Sequence, residues 1–242
     1  HLAALVHQMN GADSNAYMES NFDLTKALAV KAKQFGVAKF IFISTVKVYG
    51  ESFPDKILNE NSDCLPEDPY GESKLLAEKC LQSLNDDNFK IAILRLPLVY
   101  GLGVKGNFIN LLKMHATKKI IPFKNITTKR SMVYVGNVCA LIHCLINYSG
   151  KQQIFIAADQ VEAIQLNRLS ELLLLNLKRK NKVIFCRFPK LFIFLIKKLK
   201  PGLYARLFED FVLDASLTFK ELNYTPKYSV DEAISKTCQW YL

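Results

Sequence analysis

The sequence predicts an α/β fold with a parallel sheet, because two apolar strands are each followed by a helical pattern. Residues 40–43 (Phe-Ile-Phe-Ile) are an unbroken apolar run, as expected of a strand covered on both faces. A second apolar run occupies residues 89–101, and an apolar-periodic helix follows it at 108–116. Buried strands that alternate with helices indicate an α/β domain.

Length and charge narrow the class of protein. The chain has 242 residues, which suits one large domain or one and a half, and half of its residues are hydrophobic. The formal net charge is +10. Because the sequence has neither Arg-Gly repeats nor interleaved aromatic and basic residues, we interpret the charge as a lysine-rich surface and expect no nucleic-acid partner.

The six cysteines form no Cys-x-x-Cys pair and no cluster with histidine, so we expect no metal site. Reduced thiols fit a cytoplasmic protein. The sequence contains no signal peptide and no charge-free apolar stretch of about 18 residues. We therefore expect a cytoplasmic protein without membrane contact.

Three side chains suggest proton transfer to or from an alcohol. Thr45 ends the first apolar strand, at the edge where open α/β sheets bind ligands. Tyr70 and Lys74 are four residues apart at the head of the next helix, so they share one face. An alcohol that loses a hydride needs a base, and a nearby ammonium lowers the pKa of a phenol from about 10. An ordinary exposed helix start is the alternative, since Tyr-x-x-x-Lys alone is common.

The surrounding residues resemble the extended branch of the short-chain dehydrogenase/reductase superfamily, which holds nucleotide-sugar epimerases, dehydratases and 4-dehydrogenases. The matching segments are Ser44-Thr45-x-x-Val48-Tyr49-Gly50, Pro69-Tyr70-Gly71-x-Ser73-Lys74 and Arg95-x-Pro97-x-Val99-Tyr100-Gly101. The resemblance implies a Rossmann-like, doubly wound parallel sheet that binds NAD, with NADP as the alternative. It also implies that Tyr70 is the base, that Lys74 tunes it and holds the nicotinamide ribose, and that Thr45 orients the substrate oxygen.

The resemblance implies further contacts with the cofactor and the substrate. Cofactor contacts fall on Tyr70, Lys74, Leu2, Ala3, Ala4, Asn21, Ser44 and Pro97. Substrate contacts fall on Thr45, Leu98, Asn107, Arg130 and Arg206. Arg130 suits a diphosphate because its planar fork binds two phosphate oxygens, although a surface arginine is the alternative. Leu98 stands where galactose epimerases often have asparagine, which leaves the sugar open.

Periodicity predicts the other elements in order. His1–Ala4 is expected to be the tail of a strand, and a helix is expected over 14–36 with Gly36 as its stop. Later segments are expected to form short strands or a hairpin (120–123 and 127–134), a helix (135–147), a last core strand (153–157) and a helix (166–177). Residues 188–199, FPKLFIFLIKKL, fit interior packing in the substrate lobe, which we favour over an anionic membrane surface; a partner interface is a further alternative.

The resemblance also predicts how the chain is organised. In the family a Gly-x-x-Gly-x-x-Gly turn precedes the segment that begins here, so we expect roughly 60 further residues in a complete member. Residues 1–101, completed by about 131–157, are expected to form the NAD-binding core, and 102–130 with 158–242 a smaller substrate lobe.

The expected function is NAD-dependent oxidation at C4 of a UDP-hexose, as a 4-epimerase or a 4-dehydrogenase/reductase of surface-polysaccharide synthesis. A homodimer is usual in the family. The alternatives are a non-catalytic binding relative and a small-molecule carbonyl reductase.

Overall fold

The computed structural model describes residues 1–6, 13–51, 56–160, 162–177 and 183–242. Its helices are α1 (Ser14–Tyr17), α2 (Leu24–Gln34), α3 (Pro69–Leu84), α4 (Gly106–Thr117), α5 (Val135–Asn147), α6 (Leu166–Asn176), α7 (Lys190–Leu199), α8 (Pro201–Phe208), α9 (Ser216–Glu221) and α10 (Val230–Tyr241). Its strands are β1 (Lys39–Thr45), β2 (Ile57–Leu58), β3 (Lys90–Leu96), β4 (Leu98–Tyr100), β5 (Ile120–Ile121), β6 (Lys129–Arg130), β7 (Met132–Tyr134), β8 (Ile154–Ile156), β9 (Ile164–Gln165), β10 (Ile184–Phe185) and β11 (Val212–Leu213).

The central sheet is parallel and has helices on both faces. Its strand order is β1-β3-β8, and Thr45 pairs with Leu96 at the carboxyl ends of the first two strands. Alternate β3 residues enter two separate cores, with Ile93 packed in the core that includes α2 and α3 and Leu94 packed in the core that includes α5. Such a two-sided sheet is the α/β arrangement predicted from the sequence.

Strand β1 is less deeply covered than its composition predicted. Phe42 is fully buried, whereas Ile41 and Ile43 on the opposite face are only partly buried. Ile41 and Ile43 nevertheless pack against the core that includes α5. The strand is therefore covered on both faces, as predicted, but less deeply on the face of Ile41 and Ile43.

The first residues run beside β1 without forming a strand. The His1 amino group donates to the Ile41 carbonyl at 2.7 Å, and the Ile43 N–H donates to the His1 carbonyl at 3.2 Å. Residues 1–6 are nevertheless not assigned to a strand, so the expected strand tail is an extended segment instead.

The helix predicted over 14–36 is present but has a wider turn near its start. A π-helical turn, Met18–Asp23, separates α1 from α2. Gly36 ends the helix as predicted, with a φ of 73°. The Gly36 and Val37 N–H groups donate to the carbonyls of Lys33 and Ala32, which is the Schellman pattern that glycine favours.

The short strands after β3 do not form a hairpin. β4 pairs with β7, β5 with β10 and β2 with β11, all in parallel, and only β6 and β9 are antiparallel among these described pairs. The short strands expected at 120–123 and 127–134 are therefore confirmed, and the alternative of a hairpin is wrong, because each of these strands pairs with a strand far along the chain. The helix predicted at 135–147 and the core strand predicted at 153–157 are both present.

Helix α3 is held against the sheet by a buried ion pair. Asp68 caps its start by accepting from the Gly71 N–H at 2.6 Å, and Pro69 occupies the first turn. Two turns further on, the Glu78 carboxylate accepts from Arg95 of β3 at 2.6 Å, and both side chains are at most 3% exposed. Arg95 also donates to the Tyr49 hydroxyl at 2.8 Å.

Helix α7 is exposed, so the interior packing favoured from the sequence is wrong. Leu191, Phe194 and Leu199 are 68%, 64% and 71% exposed, and none of the apolar side chains described in α7 is buried. The helix lies at the protein surface, and its main neighbour is α8. Among the residues that the structure describes, no helix is long and apolar enough to cross a membrane.

The Glu78–Arg95 pair predicts an asymmetric response to mutation. Glu78→Gln leaves the Arg95 charge buried without its counterion, so we expect the free energy of unfolding to fall by about 3–5 kcal/mol. Replacing both residues, as in Glu78→Leu with Arg95→Met, should cost much less, because no buried charge remains. Urea unfolding measures both.

The exposed Lys90–Asp87 pair is the matched control, since its charged groups are 3.1 Å apart in solvent. Asp87→Asn should change stability by less than about 1 kcal/mol. Equal losses for Glu78→Gln and Asp87→Asn would contradict a structural role for the buried pair.

Candidate active site

A cleft of about 850 Å³ opens at the carboxyl ends of β1 and β3. Thr45, Tyr70 and Pro97 line one end of it, and Asn107 and Arg130 lie further along. Most of the remaining wall is apolar and includes Leu111, Met114, Phe123, Leu166, Leu203 and Leu207. The cleft therefore combines a few polar groups with a long hydrophobic surface, which is typical of a small-molecule site.

Thr45 and Tyr70 meet at the sheet end of this cleft. The Tyr70 phenol lies close enough to the Thr45 side chain for Thr45 to lower the pKa of Tyr70. Thr45 is buried, and its hydroxyl accepts from the Lys47 N–H at 3.3 Å. The strand end and the head of α3 thus place two hydroxyl groups together, as the sequence predicted, where both could contact one substrate oxygen.

Lys47 is the cation that acts on Tyr70. Its ammonium pairs with Asp68 at 2.5 Å and with Glu51 at 2.6 Å, and these carboxylates raise the pKa of Lys47 against the opposing effect of burial. Burial raises the pKa of Tyr70 above its usual 10, while the Thr45 side chain and the Lys47 charge oppose that rise.

Lys74 is not among the groups that shift the pKa of Tyr70 in this structure, and the role that the sequence gave it stays a prediction. Its ammonium donates to the Ile43 carbonyl at 2.6 Å and lies 3.9 Å from the centre of the Phe42 ring. The side chain is almost fully buried, and burial lowers the pKa of Lys74 to about 8, with Glu78 opposing the change. The helix face that Lys74 shares with Tyr70 is thus buried at Lys74 and faces the cleft at Tyr70.

Asn21 links the first residues of the chain to α3. It is fully buried rather than solvated, and its amide exchanges two hydrogen bonds with the Leu5 backbone, at 2.8 and 3.0 Å. The same amide donates to the Ser73 hydroxyl at 3.1 Å, and Ser73 donates to the Tyr70 carbonyl at 2.9 Å. Asn21 lies in the π-helical turn, a feature that is frequent at functional sites.

The other residues predicted to contact the cofactor have different surroundings. Pro97 lines the cleft. The Ser44 hydroxyl donates to Glu78 inside the ion-pair network, and Ser44 is not among the residues lining the cleft. Leu2 is 73% exposed and lies outside the lining, where the first segment contributes Val6 instead.

Ala3 is exposed and Ala4 is half-buried, and neither lines the cleft. Among residues 1–6, Val6 lines the cleft, two positions after the predicted contact residues Leu2 to Ala4. Any contact from Leu2 to Ala4 would be made outside the described cleft.

The residues predicted to bind substrate are spread along the cleft. Leu98, Asn107 and Arg130 line it together with Thr45. The Arg130 guanidinium donates to the carbonyls of Ala205 and Glu209 near the end of α8, at 2.6 and 3.1 Å. Arg206 belongs to α8, but its side chain lies outside the described part of the structure.

Sequence analysis missed four polar residues that build this site: Lys47, Asp68, Glu78 and Arg95. Glu78 could have been found, because it lies four residues after Lys74 and so continues the Tyr70–Lys74 face. Asp68 before Pro69 is a recognisable helix cap. No sequence pattern marked Lys47 as a site residue, because its partners Glu51 and Asp68 come from a loop and a helix start.

The pKa of Tyr70 tests the role assigned to Lys47. Removing this cation with Lys47→Met should raise the Tyr70 pKa further, whereas Lys47→Arg should hold it near the wild-type value. Nuclear magnetic resonance of ring-labelled tyrosine across pH measures both, with Tyr70→Phe identifying the signal. A Tyr70 pKa that is unchanged in Lys47→Met would show that another charge acts on the phenol.

The lowered pKa of the buried Lys74 ammonium predicts that the free energy of unfolding depends on pH. Its pKa of about 8 in the folded chain is below the ordinary lysine value of 10.5, so between these pH values the unfolded chain binds the extra proton. The free energy of unfolding should therefore rise as the pH rises through this window, by about 3 kcal/mol from this group.

Lys74→Met should remove that rise, and the exposed Lys26→Met should keep it. Urea unfolding at a series of pH values gives the two slopes. Identical slopes in the wild type and Lys74→Met would contradict the burial of a titrating ammonium.

Comparisons with known proteins agree with this geometry. A family model described as the NAD dependent epimerase/dehydratase family matches residues 1–158. The UDP-glucose 4-epimerase of Vibrio cholerae is 33% identical over the whole chain, which covers 76% of that relative. The N-acetyl-α-D-glucosaminyl-diphospho-ditrans,octacis-undecaprenol 4-epimerase of Escherichia coli is 29% identical over 69% of the chain, which covers 51% of it.

Solved structures show the same fold. The UDP-glucuronic acid 4-epimerase of Bacillus cereus, solved with NAD, superposes with a TM-score of 0.75 at 21% identity, over 99% of this chain and 72% of that one. The UDP-N-acetylglucosamine 4-epimerase of Methanobrevibacter ruminantium gives 0.76 at 20% identity, over 100% and 75%.

The family match covers well over half of the chain, and it includes the strand end and the helix start that meet at the cleft. The Vibrio relative extends the likeness to the remaining residues. The chain therefore belongs to the NAD-dependent epimerase/dehydratase family.

Proposed function

We propose that the chain is an NAD-dependent enzyme that acts at C4 of a nucleotide-activated hexose, with a UDP-hexose as substrate. The Tyr70 and Thr45 side chains, which both line the cleft at the carboxyl end of β1, are the observation that carries the proposal. Two hydroxyl groups at one end of a cleft suit a reaction that begins by removing the proton of a secondary alcohol. Family membership supplies the cofactor class.

The residues around this pair suit the nicotinamide end of the cofactor. Val6 and Pro97 offer apolar contacts beside the two hydroxyls, as a flat ring requires. Tyr70, Lys74 and Pro97 would hold that end, and Asn21 would keep the first segment and α3 in register. When bound, NAD would supply the hydride acceptor and a positive ring that favours the phenolate.

Tyr70, Thr45 and Lys47 then have separate roles in the reaction. Tyr70 takes the proton of the C4 hydroxyl while Thr45 holds that oxygen by a hydrogen bond. Lys47 opposes the rise in the Tyr70 pKa that burial causes, so that the phenol can act as a base. The hydride that leaves C4 with this proton would be accepted by NAD. Its return to the opposite face of the sugar ring would give the C4 epimer, whereas release of the 4-keto sugar with reduced NAD would give a dehydrogenase.

Arg130 and Asn107 are proposed to bind the diphosphate. They line the cleft beyond the Tyr70–Thr45 pair, where the rest of a nucleotide-linked sugar would extend. The Arg130 guanidinium donates to the carbonyls of Ala205 and Glu209 at the end of α8, and these bonds fix the direction of its plane. A fixed planar fork favours bidentate contact with phosphate oxygens.

A sugar linked to a lipid diphosphate is a second candidate substrate. The cleft wall beyond Arg130 is apolar, with Leu166, Leu203 and Leu207 among its residues, whereas a nucleotide would call for more polar partners. The name of the Escherichia coli relative describes a substrate of this class.

We further propose the broader organisation that the sequence suggested. Residues 1–101 with 131–157 would form the cofactor lobe, and 102–130 with 158–242 the substrate lobe. A cytoplasmic location is supported by six free thiols, and a homodimer is proposed from the resemblance alone.

Product analysis tests the proposal most directly. Incubation of the chain, joined to the glycine-rich segment that precedes it in complete family members, with NAD and a panel of UDP-hexoses or polyprenyl-diphosphate sugars should give a C4-epimerised or 4-keto product by mass spectrometry and nuclear magnetic resonance. Tyr70→Phe should lower turnover by about 10²–10⁴-fold, because the general base is lost.

Tyr241→Phe is the matched control, since it removes a phenol from the last helix, and it should retain wild-type turnover. Full turnover in Tyr70→Phe would remove Tyr70 from the mechanism. Absence of any product across both classes of substrate would contradict the proposed activity.

A further inference from the structure

The positive charge of the chain is concentrated in one segment. Ten of the 32 Lys and Arg residues lie between positions 172 and 208, a stretch that contains no Asp or Glu. The rest of the chain therefore balances 22 basic residues against 22 acidic residues. The net charge of +10 is not spread over the surface, as the composition first suggested, but belongs to the segment around α7 and α8.

Helix α7 presents an apolar face to solvent within this charged segment. Leu191, Leu195 and Leu199 follow one another at four-residue spacing, and Phe192 lies beside them on the same face. Their exposed fractions run from 39% for Leu195 to 71% for Leu199. An exposed stripe of this kind is unusual for a surface helix, which normally turns its apolar side inward.

Basic side chains flank this apolar stripe. Lys197, Lys198 and Lys200 occupy the last turn of α7 and the residue after it, and all three are exposed. Long lysine side chains can lie along an apolar surface and place their ammonium groups at its edge. An apolar stripe bordered by lysines is the pattern of a helix that lies in a membrane interface.

The stripe is attached firmly to the body of the protein. Lys197 lies 5.1 Å from the centre of the Tyr204 ring on α8, and Thr128 donates to the Leu207 carbonyl at 2.8 Å. Phe188 and Phe208 also pack edge to face, with ring centres 5.5 Å apart. Helix α7 therefore has a defined orientation relative to the cleft, whose wall includes Leu203 and Leu207 of α8.

We propose that α7 docks the protein on an anionic lipid membrane, with Leu191, Phe192, Leu195 and Leu199 entering the interface and Lys197, Lys198 and Lys200 contacting the acidic headgroups. Charge complementarity selects this occupant. A second copy of the chain would bring two clusters of lysines together without any acidic residue of the segment to balance them. Nucleic acid would match the charge but would leave the leucines in water.

Docking in this way places the α8 side of the cleft next to the membrane. The inference rests on the exposed face and on the charge distribution, and it holds whether or not the proposed C4 chemistry is correct. It replaces the expectation from sequence that the chain makes no membrane contact.

Vesicle co-sedimentation of the whole chain tests the proposal. The chain should bind vesicles of phosphatidylglycerol and phosphatidylcholine, and binding should weaken with added salt and be much weaker with phosphatidylcholine alone. Lys197→Gln with Lys198→Gln should reduce binding to the anionic vesicles by roughly 30-fold, because two surface charges are lost. Phe192→Ser with Leu195→Ser should abolish it.

Matched variants elsewhere separate this face from general charge and hydrophobicity. Lys26→Gln with Lys31→Gln removes the same charge from α2, and Phe35→Ser removes an aromatic ring that is 83% exposed. Both should bind vesicles as the wild type does. Circular dichroism shows whether every variant is folded, and exposed substitutions should leave the spectrum unchanged.

Several outcomes would overturn the proposal. Equal binding to neutral and anionic vesicles, or no loss in the α7 variants, would exclude α7 as a docking face for anionic lipid. A concentration-dependent dimer that Phe192→Ser dissolves, without vesicle binding, would assign the face to a second copy. Stronger competition by single-stranded RNA than by anionic lipid would assign the charge to nucleic acid.

Discussion

The buried ion pair between Glu78 and Arg95 is the constraint on which the candidate site depends. It joins the middle of α3 to β3, so the helix head cannot shift along the sheet without separating two desolvated charges. Ser44 donates to the same carboxylate and ties the end of β1 into the network. Tyr70 lies at the head of α3 and Thr45 at the end of β1, so the closeness of their side chains follows from the geometry that the ion pair imposes.

A second buried network joins the ends of β4 and β7. The Asp159 carboxylate accepts from the Tyr100 hydroxyl at 2.6 Å, the Tyr134 N–H at 2.7 Å and the Asn137 amide at 2.8 Å. Asn137 continues the network to the Tyr228 backbone before α10. Burial raises the pKa of Asp159, and its three donors oppose that rise.

Local rules account for the parts of the fold that the sequence predicted. Gly36 ends its helix because only a residue tolerant of positive φ suits that position, and the 70–74 spacing places Tyr70 and Lys74 on one face. The surroundings of those side chains depend on distant residues, so Lys47 rather than Lys74 is the cation acting on Tyr70. The exposure of α7 was likewise hidden, since an apolar helix has the same periodicity whether it faces a core or a membrane.

A double-mutant cycle between Tyr70 and Thr45 measures the central interaction directly. Unfolding free energies of Tyr70→Phe, Thr45→Val and the double variant give the coupling energy, which should be about 1 kcal/mol for a hydrogen bond in the otherwise wild-type chain. Repeated in a Glu78→Gln background, the coupling should fall toward zero, because α3 is then no longer held in place. No coupling in the first background, or the same coupling in both, would contradict the claim that the buried pair positions the two hydroxyls.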